Sequence, residues 1–232
     1  FWDISSKTSL NTNIGYQFGK LGNSRLDYGG GGNPSPSYYQ DLPSYFLADD
    51  DGPDYAGAYQ AEQNFLNNGQ IDWERILDAN ITNNANDISA AYSLYEDRAD
   101  DTQLTVNSII STEINENIIV NGAVNYKNFK SENFGEIIDL LGSKVGVLNV
   151  DSFDNYQYDA QNPNSVVGEG DKYRYNYNLY ADVISAYAQG QFKYNKVDFY
   201  VSANVTNTTY QREGLWEHSR FAGDLSYGKG KE

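Results

Sequence analysis

Apolar and polar residues alternate with period 2 in five stretches of the chain. In residues 8–18, Leu10, Thr12, Ile14, Tyr16 and Phe18 fall on one side, opposite Ser9, Asn11, Asn13, Gly15 and Gln17. Residues 104–114 set Leu104, Val106, Ser108, Ile110, Thr112 and Ile114 against Thr105, Asn107, Ile109, Ser111 and Glu113. Residues 118–126 set Ile118, Val120, Gly122, Val124 and Tyr126 against Ile119, Asn121, Ala123 and Asn125. Residues 184–194 place Ile184, Ala186, Ala188, Gly190, Phe192 and Tyr194 opposite Ser185, Tyr187, Gln189, Gln191 and Lys193. In residues 197–205, Val197, Phe199, Val201, Ala203 and Val205 oppose Asp198, Tyr200, Ser202 and Asn204. Successive side chains of a strand point to opposite faces, so each stretch predicts a strand with one apolar and one polar face. At about 9–11 residues each is roughly twice as long as an ordinary strand.

The connections sort these strands. Only Asn195 and Lys196 separate Tyr194 from Val197, and a two-residue hairpin pairs its flanking residues directly. That register stacks Phe192 on Phe199, Gly190 on Val201 and Ala188 on Ala203. Asn115, Glu116 and Asn117 make a second tight connection, read as three residues between Ile114 and Ile118. The other two connections, residues 19–103 and 127–183, are very long. Tight turns therefore lie at one end of the sheet and long loops at the other. Within the loops, residues 55–68 read as a helix ending at Gly69, Asp72 as the cap of WERILDAN, and Ser131 as the cap of NFGEIIDLL, ending at Gly142. Pro34, Pro36 and Pro43 argue against regular structure around them. The glycine run at 29–33 lacks the lysine and following helix of a phosphate loop and reads as a flexible point in an external loop.

Composition supports an all-β chain with much loop. Tyr (21), Gly (21) and Asn (27) dominate the 232 residues; tyrosine favours strands, and the other two favour turns. There is no cysteine and no methionine, which excludes disulfides, thiol chemistry and cysteine-based metal motifs. A net charge of −16 argues against a nucleic-acid partner. No run of 18 apolar residues predicts a transmembrane helix. The opening FWDISSKT does not read as a signal peptide and lacks an initiator methionine, so the expectation is a processed chain or a piece of a longer one.

Long two-faced strands, short turns on one side and large loops on the other are the pattern of an outer-membrane β-barrel. Lipid cannot satisfy backbone hydrogen bonds, so spanning strands must pair and the sheet must close. On this reading Leu10, Ile14, Val106, Ile110, Val120, Val124, Phe192, Val197, Phe199, Val201 and Val205 face lipid. Asn11, Asn13, Gln17, Asn107, Ser111, Glu113, Asn121, Asn125, Ser185, Gln189, Gln191, Ser202 and Asn204 face the lumen. Phe1, Trp2 and Tyr194 mark one interface, and Tyr126, Phe129 and Tyr210 the other. Five strands cannot close a membrane barrel, so the chain is expected to be part of one. The alternatives are a soluble extracellular glycan-binding or adhesive β-domain, whose strands also alternate, and a passive porin-like barrel. Burial of Val197, Phe199, Val201 and Val205 against a second sheet would select the soluble domain.

Long ordered stretches carry a family resemblance: FWDISSKTSL, NPSPSYYQDLPSYFL, QIDWERILDAN, residues 92–144 from YSLYEDRADD to LLGSK, residues 170–214 from GDKYRYNYNLY to QREG, and SYGKGKE. They resemble the TonB-dependent outer-membrane receptors of the Bacteroidetes type. The resemblance implies that residues 1–232 are a partial barrel domain from a parent barrel of about 22 strands, with the plug domain and TonB box outside this sequence. It further implies nutrient capture by external loops and energy-coupled import. The short turns would be periplasmic and the loops extracellular in a Gram-negative outer membrane. The implied partners are outer-membrane lipid, the remainder of the barrel and plug, TonB and a surface lipoprotein. Glycans, peptides, siderophores and vitamins are all substrates of the family.

Chemistry is sparse. His218, the only histidine, stands in LWEHSRF without a catalytic motif, no carboxylate pair is distinguished, and the chain is not expected to be an enzyme. No cofactor is expected, except that the acidic run around Asp49, Asp51 and Asp54 could collect calcium on a flexible loop, although its spacing is not that of an EF-hand. Asp97, Asp100 and Asp101 form a second acidic group in which Arg98 pairs locally. Tyr38, Tyr39, Tyr45, Tyr55 and Tyr59 in the first loop are the candidate ligand contacts, through their aromatic faces. Tyr173, Tyr175, Tyr177 and Tyr180 read chiefly as a strand prolonged beyond the membrane.

Overall fold

All five alternating stretches form strands of one antiparallel sheet. The computed structural model describes residues 1–48, 50 and 52–228. Strand β1 (Trp2–Ser5) leads into β2 (Thr8–Asp27), followed by a 3-10 turn at Tyr39–Asp41 and helices α1 (Pro43–Leu47), α2 (Tyr55–Asn68) and α3 (Trp73–Asn84). Then come β3 (Ser93–Asn115), β4 (Ile118–Asp139), the short pair β5 (Val147–Leu148) and β6 (Val166–Val167), β7 (Lys172–Tyr194), β8 (Val197–Gly214) and α4 (Asp224–Tyr227). The main sheet runs β1-β2-β3-β4-β7-β8. Its outer strands are open, since β1 covers only Thr8–Leu10 of β2 and no described strand pairs with the far side of β8.

The predicted hairpin register holds, with Tyr194 opposite Val197, Phe192 opposite Phe199, and Ala188 opposite Ala203. Phe192 and Phe199 stack at 4.9 Å. Three tight turns share one end of the sheet, the third being the β1–β2 connection that alternation did not announce. The middle turn is a correction. Asn115 pairs with Ile118 across a bulge between Glu113 and Asn115, so only Glu116 and Asn117 remain in the turn and Ile114 is the extra residue.

Direct pairing puts the apolar sets of all strands on one face. Successive rows across β2, β3, β4, β7 and β8 read Leu10, Ile110, Gly122, Ala188, Ala203, then Thr12, Ser108, Val124, Ala186, Val205, then Ile14, Val106, Tyr126, Ile184, Asn207. No second sheet covers this face within the described residues. Val197, Phe199, Val201 and Val205 keep between 46% and 73% of their surface exposed. Tyr126 and Tyr194 lie on this face, but the register moves two other expected interface aromatics. Phe129, Ala181 and Tyr210 form one row on the polar face, because their parity is opposite to that of Tyr126 and Ile184.

The strands run far past the alternating stretches. Beyond Tyr126 and Ile184 the apolar face becomes charged, with Lys20 on Asp100 (3.8 Å), Arg98 on Glu136 (2.6 Å) and Lys130 on Glu132 (2.6 Å). The NFGEIIDLL segment is therefore not a helix: Ser131 and its successors through Asp139 continue β4. Phe134 packs beneath Arg98 and Lys172, while Ile137 points into the loop core, an alternation that imitated helical spacing.

The core sits at the loop end of the sheet. One cluster joins Ala90, Tyr95, Ile137, Val147 and Tyr173, and a second joins Ile76, Ala91, Tyr92 and Leu141. Helix α2 is capped by Asp54, which accepts from Gly57 N–H, and α3 by Asp72, which accepts from Arg75 N–H, as the sequence predicts for Asp72. Pro43 does not exclude regular structure but opens α1, where its missing N–H leaves no helical bond unmade. The glycine run is likewise docked and not a free hinge. Gly30 N–H donates to Ala91, and a Cβ on Gly31 would lie 2.5 Å from the Tyr92 ring.

Candidate ligand-binding cavity

On the polar face, where the strands pass into the loops, the β4–β7 ladder breaks. A bulge between Phe134 and Gly135 leaves Tyr173 opposite Gly135 and Asn176 opposite Phe134. Gly135 is required there, because a Cβ would meet the Tyr173 carbonyl oxygen at 2.3 Å. Within the bulge Arg174 has φ +67°, a conformation unfavourable for a residue with a Cβ. Its N–H donates to the buried Asn149 side chain at 3.0 Å.

This geometry delivers Arg174 into a cavity of about 460 Å³, also lined by Arg25, Asp27, Tyr95, Tyr158, Tyr173 and residues 150–153. Arg174 Nη1 donates to the Tyr95 hydroxyl at 3.2 Å and reaches Asp27 at 3.5 Å, with the Tyr95 and Tyr158 rings 5.3 and 5.7 Å from its guanidinium carbon. The Tyr173 hydroxyl donates to Asp27 at 2.7 Å, and the Tyr175 hydroxyl donates to Asp97 at 2.8 Å. Asp97 also accepts from Arg25 Nε. Each arginine thus stands against a carboxylate, and Asp151, whose Oδ1 accepts the Phe153 N–H at 2.8 Å, adds a further one to a wall of phenols, carboxylate oxygens and ring faces. Burial pushes the phenols of Tyr158, Tyr173 and Tyr175 up from their ordinary value, so they stay protonated and can donate. These residues lie beyond the apolar band, at its loop end. Rings with alternating donors and acceptors suit a polar, hydroxyl-bearing ligand better than an apolar one.

The first tyrosine group does not converge on this cavity. Tyr38 packs edge-on to Tyr39, and Tyr39 to Tyr45, while Tyr55 and Tyr59 are exposed on α2. Of the second group, Tyr173 lines the cavity, Tyr175 and Tyr177 continue along the same face, and Tyr180 turns to the opposite face, donating to Glu213 at 2.7 Å. Asp27, Tyr95, Tyr158 and Arg174 carry no sequence signal of their own, because a bulge and two loops bring them together. Asp54 is occupied in capping α2, and Asp49 and Asp51 lie outside the described residues. Among the described residues no group of three acidic, histidine or cysteine side chains could hold a metal. Asp100 accepts from Arg98, as the local-pairing expectation has it, whereas Asp97 pairs with Arg25. His218 Nδ1 accepts the Arg220 N–H at 3.2 Å, and its ring packs among Tyr156, Tyr158 and Phe221. Glu217 beside it accepts from Gly223 N–H and from the Gln161 amide.

No protein-family model, curated protein or solved structure matches this chain.

Proposed function

We propose that the chain is part of the wall of an outer-membrane β-barrel receptor of the TonB-dependent kind, whose external loops capture a nutrient for energy-coupled import. The supporting observation is the uncovered apolar face, shared in register by five strands of 18–23 residues. About 10 residues of each strand cross the hydrocarbon layer. The charged remainder rises outside it and carries the folded loops. The open sides of β2 and β8 pair with further strands of the same barrel, since an unpaired strand cannot stand in lipid. Coupling to TonB rests on the sequence resemblance alone, and capture rests on the position of the cavity at the loop end.

The chain has no cysteine, so a single introduced cysteine gives no background from this segment. The protein is expressed in a Gram-negative host and intact cells are treated with a membrane-impermeant maleimide. Tyr59→Cys on α2 labels, and Lys196→Cys in the tight turn labels only after the outer membrane is opened. Equal labelling of both in intact cells, or recovery of the protein outside the membrane fraction, overturns the reading.

A further inference from the structure

A second cavity adjoins the first, and its lining departs from the rest of the molecule. The chain carries 32 Asp and Glu against 16 Lys and Arg. Yet the cavity of about 210 Å³ bounded by β7, β8 and residues 216–226 has two arginines and the histidine in its wall and no Asp or Glu. The cations are Arg174 and Arg212, beside His218, Trp216, Tyr158 and Tyr177. Arg212 makes no ion pair among the described residues. Its Nη1 donates to the Ser226 carbonyl at 2.6 Å, and its guanidinium lies 4.9 Å over the Tyr177 ring. A guanidinium has five donors in a planar fork, so these contacts leave donors available for an anion. Because His218 Nδ1 accepts a backbone N–H, the neutral ring carries its proton on Nε2, which is a further donor.

Tyr158 and Arg174 line both cavities, so the two form adjoining subsites that share one wall. The larger offers the paired carboxylate Asp27 and phenols, which suit the hydroxyls of a neutral sugar ring. The smaller adds Arg212, which no carboxylate neutralises among the described residues, and aromatic faces, which suit a ring bearing a negative charge. We infer that this pair of cavities binds an acidic saccharide, its carboxylated or sulfated unit on Arg212 and a neighbouring unit against Tyr173 and Asp27. The inference rests on the barrel reading only in placing the site outside the cell.

The test uses the full-length protein purified from membranes in detergent, with binding measured by calorimetry and by Trp fluorescence. The probes are digalacturonate, lactose 3′-sulfate and neutral digalactose. At least one anionic probe binds, and at least tenfold more tightly than digalactose. Arg212→Gln weakens that probe about tenfold and leaves digalactose unchanged, whereas Arg212→Lys, which keeps the charge, recovers part of the loss. The carboxylated and sulfated arms identify the anion. Equal binding of neutral and acidic probes, no binding of either acidic probe, or an Arg212→Gln protein that binds like the parent overturns the inference. Circular dichroism and the unfolding midpoint identify a variant that has failed to fold, in which case Arg212→Met, which keeps the aliphatic stem beside Tyr177 without the charge, repeats the comparison. Labelling at position 196 is independent of saccharide binding, so normal labelling without binding rejects this site and leaves the barrel reading standing.

Discussion

Asn80 holds Tyr92 by both ends of its amide. Its Nδ2 donates to the Tyr92 carbonyl at 2.8 Å, and its Oδ1 accepts the Tyr92 N–H at 3.1 Å. The same side chain accepts from Ala91 N–H at 2.8 Å and donates to the carbonyls of Leu140 and Leu141, each at 3.0 Å. It is fully buried. One residue of α3 thereby joins the segment entering β3 to the segment leaving β4, satisfying backbone groups that no strand partner reaches.

Asn80→Ala is expected to loosen the loop core by about 3 kcal/mol or more, at about 1–3 kcal/mol for each buried group left unpaired. Hydrogen exchange at Ala91 and Tyr92 accelerates, while exchange in the lower halves of β7 and β8 keeps the parent rate. Asn80→Asp retains the acceptor for Ala91 and Tyr92 but loses all three donations. It brings a carboxylate toward three carbonyls and is at least as damaging. Parent-like exchange at Ala91 in both variants would show that this network is not what secures the loops.

The bulge gives a second prediction. Gly135→Ala places a methyl 2.3 Å from the Tyr173 carbonyl oxygen, so the β4–β7 ladder must shift and carry Tyr173 and Arg174 with it. A cost of about 1–3 kcal/mol is expected from overpacking. Gly15→Ala is the control, since nothing lies within 4 Å of its added carbon. Unfolding midpoints of the two variants should separate clearly; coincident midpoints would mean that the bulge is plastic.

How far these features could be read from sequence depended on what surrounds each strand. Where one face is apolar and the other polar, alternation is clean, and the register from Tyr194–Val197 to Ala188–Ala203 was legible. Above Tyr126 both faces are wet or packed by loops. Lys20, Arg98 and Lys130 then occupy apolar-parity positions, so β2, β3, β4 and β7 proved far longer than the pattern suggested. In β4, Phe134, Ile137 and Ile138 serve different surroundings and so lose period 2, which made a strand look helical. The Asp72 cap was legible because it needs only local geometry. The cavity was not, because Asp27 and Tyr173 meet across 146 positions of sequence through a bulge whose only trace is Gly135.

Glu217 supplies a pH prediction. Its carboxylate accepts from Gly223 N–H at 3.0 Å and from the Gln161 amide at 2.6 Å, bonds that hold it below the usual carboxylate range. A depressed folded-state value means that its contribution is fully present above the unfolded value of about 4.3 and is lost as pH falls through the folded one. Acidification through the folded-state value should therefore weaken the Glu217 contact with Gly223, seen as faster exchange at Gly223, while the Ala160 N–H, which donates to the Glu217 main-chain carbonyl, keeps its rate. Glu217→Gln keeps an acceptor for Gly223 without the titrating charge. Exchange at Gly223 in that variant should be nearly flat with pH, and an acid response equal to that of the parent would assign the effect to another group.

The two faces of β8 make the sharpest contrast, because adjacent residues are expected to tolerate the same change in opposite ways. Val201 lies in a row with Gly190, Val120 and Thr112 on the apolar face and is 64% exposed. Ser202 is its neighbour on the polar face, opposite Gln189. In a barrel wall Val201→Lys sets an ammonium against lipid, at a cost of about 2–4 kcal/mol near the bilayer midplane. Ser202→Lys places the same charge among wet polar side chains, at little cost. The amount of folded, heat-modifiable protein recovered from the outer-membrane fraction measures both. Recovery should fall for Val201→Lys and stay near parent levels for Ser202→Lys. The reverse order would put the polar face toward the apolar medium, and equal recovery would mean that neither face of β8 meets lipid.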